Sequence, residues 1–204
     1  MGDAGNRGRR PPWLALALAL ALAGSAALAA DVSALPAGKQ TVAGRYLDAR
    51  AAYQLKQKLG DQAFLLDVRT RYEVMYVGTP TLTDANIPYV EHPDGAPWDD
   101  KAGRFRVELN SDFGPELARR LQAQGLGKDS TVILICRSGD RSARAANLLT
   151  QLGYSAVYSV TDGFEGDAAP AGDKQGQRVV NGWKNAGLPW TYKLDKERFY
   201  FPKN

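Results

Sequence analysis

The chain has one cysteine and one histidine among 204 residues, and each scarcity closes off a class of function. A lone Cys136 forms no internal disulfide, so stability has to come from a packed core. With only His92 there is no zinc cluster, no c-type haem attachment and no three-group metal site, and no cofactor is expected. A Ser-His-Asp triad would have to recruit His92 from the loop "EHPDGAPWDD", a poor setting for a fixed base. A basic stripe with interleaved aromatics is also lacking, so nucleic acid is not an expected partner.

Long hydrophobic runs are scarce after the first thirty residues. There, Arg9-Arg10-Pro11-Pro12-Trp13 precedes "LALALALALAGSAALAA", a basic start, an apolar stretch and a small-residue end at Ala27-Leu28-Ala29. This resembles a secretory signal peptide, with an uncleaved membrane anchor as the alternative. The alanine content and Gly24-Ser25 favour cleavage and general secretion, and Pro11-Pro12 argues against a twin-arginine signal. The mature protein is then expected in the periplasm or otherwise exported, with no stable membrane span. Losing Asp3, Arg7, Arg9 and Arg10 lowers the formal charge from +4 to +2, so part of the basic character belongs to the leader.

What remains is organised as alternating strands and helices. "YLDARAAYQLKQKLG" predicts a helix capped by Asp48 and closed by Gly60. "AFLLDVR" (63–69) is a continuous apolar run, as in a buried parallel strand. "RFRVELN" (104–110) alternates and predicts a strand or edge segment. "GPELARRLQAQG" predicts a helix with Pro115 at its start and Gly125 at its stop, followed by the strand "TVILIC". "SARAANLLTQLG" predicts a helix from Ser142 ended by Gly153, and "AVYSV" a last strand. The order implies an α/β fold, a central parallel sheet with helices on both faces. Two stretches rich in Gly, Pro and Asp, 78–103 and 163–182, interrupt it as covers or disordered insertions.

Cys136 lies at the carboxyl end of a predicted strand, where ligands bind in parallel sheets, with a helix starting a few residues later. A helix N-terminus stabilises a thiolate, and Gly139 lets successive N–H groups curl into an anion nest. Arg137 and Arg141 add fixed positive charge. A buried core cysteine needs neither the glycine nor the arginines. Without a histidine base, the nucleophile is a thiolate that needs none.

These residues resemble a family. Cys136-Arg137-Ser138-Gly139-Asp140-Arg141-Ser142 is similar to the active loop of rhodanese-type sulfurtransferases of the single-domain, thiosulfate-using kind. "LLDVR" (65–69), with Glu73 at a position often charged, "ANIP" (85–88) and "WKNAGLPW" (183–190) are similar to other signatures of that family. The resemblance spans roughly 44–190 and implies a rhodanese-like domain at 44–192, after a 1–29 signal and a 30–43 linker and before a 193–204 tail. It implies a catalytic Cys136 and a substrate-binding loop of Arg137, Ser138, Gly139, Asp140, Arg141 and Ser142. Asp67 and Arg69 would support the loop, as a structural ion pair or at the substrate. The partners implied are a small anionic sulfur donor and a thiol acceptor, small or protein-borne.

The family's Gly-His-Ile-Pro-Gly stretch stands here as "VGTPTLTD", and its Gly-Gly-x-x-x-Trp segment is divided between "DGFEGD" and "NGWKNAG". A non-catalytic or carrier-type module binding an exported partner is an alternative. So is a cysteine phosphatase or arsenate reductase, although four residues separate Cys136 from Arg141 and phosphatases of similar architecture have one more.

Overall fold

The computed structural model describes Met1 and residues 35–202; beyond Met1, the expected signal segment lies outside the described residues. The chain enters as a short 3-10 turn, Ala37–Lys39. It then forms β1 (Tyr46–Leu47), α1 (Ala49–Leu59), β2 (Ala63–Asp67), α2 (Arg71–Val77), β3 (Thr79–Pro80) and β4 (Ala85–Asn86). After β5 (Val90–Glu91), β6 (Trp98–Asp99), β7 (Arg104–Phe105) and β8 (Glu108–Leu109) come α3 (Phe113–Ala123), β9 (Thr131–Ile135), α4 (Asp140–Gln151), β10 (Val157–Val160) and β11 (Trp190–Thr191).

Five of these strands build one sheet in the order β1-β10-β9-β2-β4, with every neighbour parallel. The three strands legible in the sequence form its centre. β2 and β9 read as unbroken apolar runs because each face meets a different core. Phe64, Leu66, Val132 and Leu134 pack with Leu117 and Leu121 of α3 and with α4. Leu65, Ile133 and Ile135 face the other way, onto Ala49 and Ala52 of α1 and onto Trp183. Both layers expected from the pattern are present.

Local chemistry sets the helix ends. The Asp48 carboxylate accepts the Ala51 N–H at 2.7 Å, and Gly60 leaves α1 with φ 53°. Thr70 and Glu73 form a reciprocal capping box at the start of α2. α4 begins at Asp140, two residues before the expected Ser142, so Asp140 and Arg141 belong to the first turn of the helix.

Two expectations are corrected. The stretch 104–110 is not a strand of the sheet. It supplies β7 and β8, which fold back on β6 and β5 as the return limb of an antiparallel arm spanning 90–109. Its alternation places Phe105, Val107 and Leu109 on one side, but that side meets a cavity and solvent rather than the core. The interruption read at 78–103 is likewise divided: its first part carries β3 and β4, and only from residue 90 does the chain leave the sheet.

The second interruption departs at Gly166 and returns at Gly182, where the two backbones touch. A Cβ on Gly166 would lie 1.8 Å from the Asn181 carbonyl oxygen. Trp183 N–H donates to Gly163 O at 2.9 Å and Lys184 N–H to Phe164 O at 3.0 Å, which joins the divided segment in space.

The segments on either side of 44–192 also pack on the fold. Lys39 is buried and pairs with Asp167 at 2.7 Å. Near the C-terminus, Tyr200 N–H donates to Asn86 O and Phe199 bridges Asn86, so the chain covers the free edge of β4. No described helix is long and apolar enough to cross a membrane.

Candidate active site

β9 delivers Cys136 to the carboxyl end of the central strand, and the chain turns at once into α4. Gly139, at φ 104°, makes the turn possible. A side chain there would be strained, and its Cβ would lie 2.2 Å from Thr161 O. The turn points the Gly139 N–H at Cys136 Sγ across 3.1 Å. Behind the sulfur, Ser142 Oγ lies 3.6 Å away, donates to Gly139 O at 2.9 Å and accepts from Ser159 Oγ at 2.9 Å. On the far side, Gly163 presses against the carbonyls of Cys136 and Arg137, with no room for a Cβ. The loop's shape is therefore fixed from α4, β10 and the segment after β10.

Arg141 is held by Glu73 through two bonds of 2.5 and 2.6 Å. Burial pushes the Glu73 carboxyl up. The Arg141 bonds and charge, joined by the Thr70 N–H and hydroxyl, outweigh it and hold the group at about 2. Burial likewise works against the Arg141 charge, yet the same pairing raises its pKa overall. The pair locks the first turn of α4 to the start of α2.

Cys136, only 1% exposed, forms the floor of a cavity of about 640 Å³. Arg137, Ser138, Asp140, Arg141 and Arg144 line its loop side together with Thr70 and Glu73. The opposite wall is the arm, through His92, Trp98, Arg104, Phe105 and Val107. Trp98 and Phe105 meet edge to face with ring centres 5.4 Å apart. Among the described residues no cluster of His, Cys, Asp and Glu is placed to hold a metal ion.

The sequence-predicted residues separate into three positions. Cys136, Arg137, Ser138, Asp140 and Arg141 face the cavity. Gly139 and Ser142 lie beneath them, where they contact the thiol instead of the cavity. Asp67 and Arg69 are fully buried in a two-pronged ion pair off the cavity wall, with Arg69 also donating to Gly78 O and packed against the Phe164 ring. Their place is that of a structural pair behind the loop.

Two contributors, Ser159 and the arm, have no signal in the sequence, and Glu73 has one whose role the sequence analysis leaves unassigned. Glu73 stood out only by its position, although Thr70-x-x-Glu73 is a legible capping-box signature. Ser159 is a single hydroxyl in an apolar strand, and the arm's wall had no pattern that named its cavity.

The comparisons with known proteins agree with this fold. A family model described as the rhodanese-like domain matches residues 51–169, more than half of the chain. An uncharacterized protein of Rickettsia conorii is 35% identical over 132 residues, 65% of this chain and 85% of its own length. The thiosulfate sulfurtransferase GlpE of Tolumonas auensis is 44% identical over 43 residues, covering 21% of this chain and 41% of its own. Among solved structures, the crystal structure of Rv0390 from M. tuberculosis aligns with a TM-score of 0.51 at 29% identity, over 72% of this chain and 97% of its own. With its five-stranded parallel sheet and a cysteine loop at the sheet's carboxyl edge, the chain belongs to the rhodanese-like family.

Proposed function

We propose that the protein is a sulfurtransferase that carries sulfane sulfur on Cys136. The observation that carries this reading is the Gly139 N–H aimed at Cys136 Sγ from 3.1 Å, at the floor of an arginine-lined cavity. A negatively charged sulfur is held there by a fixed donor at no cost of rearrangement. In the first step the Cys136 thiolate attacks the outer sulfur of a donor such as thiosulfate. The donor's S–S bond breaks, and sulfite leaves with the electron pair. The product is a Cys136 persulfide. In the second step an acceptor thiolate, or cyanide in an assay, attacks the terminal sulfur, and the electrons of the broken bond return to Cys136.

Arg137, exposed at the cavity rim, is suited to the anionic end of the donor. Arg141 is engaged by Glu73 and keeps the loop in shape. The short loop supports sulfur over phosphoryl chemistry, because drawing the N–H groups inward leaves room for one sulfur on the cysteine and not for a tetrahedral oxyanion.

Incubation with thiosulfate is expected to add the mass of one sulfur atom to the intact protein, and Cys136→Ser to take up none. Cyanide-dependent turnover retained by Cys136→Ser would end this reading. On the sequence of residues 1–29 alone, we place the mature protein in the exported fraction, beginning near Ala30; an intact N-terminus on soluble intracellular protein would overturn that placement.

A further inference from the structure

Two hydroxyls are buried where a strand and an alanine-rich helix would ordinarily meet through apolar groups. On β10, Val157 and Ser159 share the face turned to α4, while Tyr158 and Val160 pack on the opposite core. Ser142 projects from the first turn of α4, a helix that otherwise buries Ala143, Ala145, Ala146 and Leu149. Both serines are fully buried. An alanine pair would fill the same place with no polar group to satisfy, so the hydroxyls stand there at a cost in desolvation.

Counting protons leaves the pair few choices. Ser159 Oγ has one partner among the described residues, Ser142 Oγ at 2.9 Å, and Ser159 is the donor. Ser142 therefore cannot give its own proton back to Ser159. The other acceptors around Ser142 Oγ are Gly139 O at 2.9 Å, Val160 O at 3.4 Å and Cys136 Sγ at 3.6 Å. While the sulfur carries a proton, its S–H donates to Ser142 Oγ and the Ser142 proton rests on Gly139 O. Once the sulfur is an anion that S–H is gone, and the charge attracts the Ser142 proton instead. Turning the proton leaves no orphan behind, since Gly139 O also accepts the Ala143 N–H at 3.1 Å. The thiolate then has two donors, Ser142 O–H and Gly139 N–H.

We infer that Ser159 is a positioning residue for the chemistry at Cys136: by donating to Ser142 it reserves the Ser142 proton for Gly139 O or the sulfur, and makes that proton a stronger donor. This deepens the sulfur-transfer reading and rests on it for the steps served. As the Cys136 thiolate bonds to the donor's outer sulfur, the donor's S–S bond breaks and its electron pair leaves with sulfite. The Cys136 sulfur is then neutral, and the Ser142 proton turns back to Gly139 O. When the acceptor thiolate takes the outer sulfur, the electron pair of the broken S–S bond returns to Cys136, and the proton turns to meet it. The proton never leaves Ser142 Oγ. The pair follows the charge on sulfur by rotation alone.

The test compares Ser159→Ala, Ser142→Ala and the double variant by the pH–rate profile of Cys136 alkylation with iodoacetamide, a neutral reagent. Each change removes a single oxygen. Ser159→Ala is expected to raise the midpoint of the profile by about half a unit to one unit, and Ser142→Ala by about one unit. In the Ser142→Ala background, Ser159→Ala should add nothing, because its route to the sulfur is gone. The charged groups around the thiol are the same in every variant: Glu73 of α2, Arg137 of the loop, Asp140, Arg141 and Arg144 of α4, His92 and Arg104 of the arm, and the Asp67–Arg69 pair behind. A difference between variants therefore reports the hydroxyls. No shift in Ser159→Ala, or a shift of equal size with Ser142 absent, overturns the inference. A role in packing alone would lower the urea midpoint and leave the alkylation midpoint in place.

A second measurement follows sulfur uptake from thiosulfate by intact mass against time. Below the wild-type alkylation midpoint, Ser159→Ala is expected to load several-fold more slowly, and above both midpoints the gap should close. Loading of Ser159→Ala at the wild-type rate at every pH overturns the inference while the sulfur-transfer reading stands. If thiosulfate loads no variant, the wild type included, and the alkylation shift is present, Ser159 still positions the thiolate through Ser142 and the sulfur-transfer reading alone is lost.

Discussion

The arm at 90–109 and the excursion at 167–181 leave the sheet through similar Gly-, Pro- and Asp-bearing sequence, but they are rooted differently. The arm begins and ends on strands that already run side by side, Val90 opposite Leu109, with Tyr89 and Asn110 bonded at its base. Nothing at that root limits its length, and its tip is free to carry exposed aromatics over the cavity. The excursion starts from a close-packed junction, and its two ends must return to contact between Gly166 and Gly182. The Asp162 carboxylate fastens that junction, accepting Ala49 N–H at 2.8 Å and Gly182 N–H at 3.0 Å. Composition marks where a chain departs from a fold. The geometry of the root decides whether the departure can serve as a changeable wall or must be a rigid clamp.

The harshest way to break that comparison is to add a methyl group at the clamp. Gly166→Ala places a Cβ 1.8 Å from a backbone oxygen, at φ 88°, where a side chain is strained in any case. Strain and forced backbone movement together are expected to cost about 3 kcal/mol or more of stability, read from the urea midpoint. Gly103→Ala, in the arm at φ 61° with open space around its Cβ position, should cost about 1 kcal/mol. Equal losses at the two sites would mean the roots are not different in kind.

This contrast also explains what the sequence could and could not reveal. Buried central strands show as apolar runs, and caps such as Asp48 and stops such as Gly60 and Gly153 are local, so the sheet's centre and its helices were legible. The two-residue edge strands β1 and β4 were not, because pairing with β10 and β2 defines them rather than any pattern of their own. The cysteine loop stood out in the sequence because its residues are contiguous from 136 to 142. Its surroundings were not: Ser159, Gly163 and the arm reach the loop through tertiary contacts that no spacing announces. The same reason placed Ser142 at the substrate in the sequence reading, when the turn into α4 carries it behind the sulfur.

A milder test uses pH, because the clamp and the brace titrate with opposite sign. Burial, helped by the nearby Asp48 charge, pushes Asp162 up to about 6, despite the backbone N–H bonds that oppose the shift. Its folded form therefore binds a proton more readily than the unfolded chain does. The associated stability is fully present below the ordinary carboxyl range near 3.8 and is lost as pH rises through about 6. Glu73 is held at about 2, so its contribution is present above the ordinary 4.5 and is lost as pH falls toward 2. Relative to Asp162→Asn, the wild-type protein should gain up to about 1.4 kcal/mol per pH unit on going from pH 6 toward pH 4, followed by urea unfolding. Relative to Glu73→Gln, it should lose stability only below pH 4.5. A flat Asp162 difference curve would show that the junction tolerates a charged carboxylate, and the clamp would then be a matter of glycine contacts alone.

The smallest expected effect lies at the tip of the arm. Trp98 and Phe105 meet edge to face, yet they are 54% and 57% exposed and touch neither core cluster. An aromatic pair of this geometry couples by roughly 0.5–1.5 kcal/mol, and little burial adds to it. Trp98→Ala and Phe105→Ala are each expected to cost about 1 kcal/mol or less, with most of either loss shared in a double-mutant cycle. The pair is thus positioned to shape a cavity wall at little expense to the fold, and its replacement should be felt in alkylation of Cys136 before it is felt in the unfolding curve. A loss above about 2 kcal/mol from either change would indicate that the arm is anchored through its tip. The distinction between a free wall and a fixed clamp would then fail at its most exposed point.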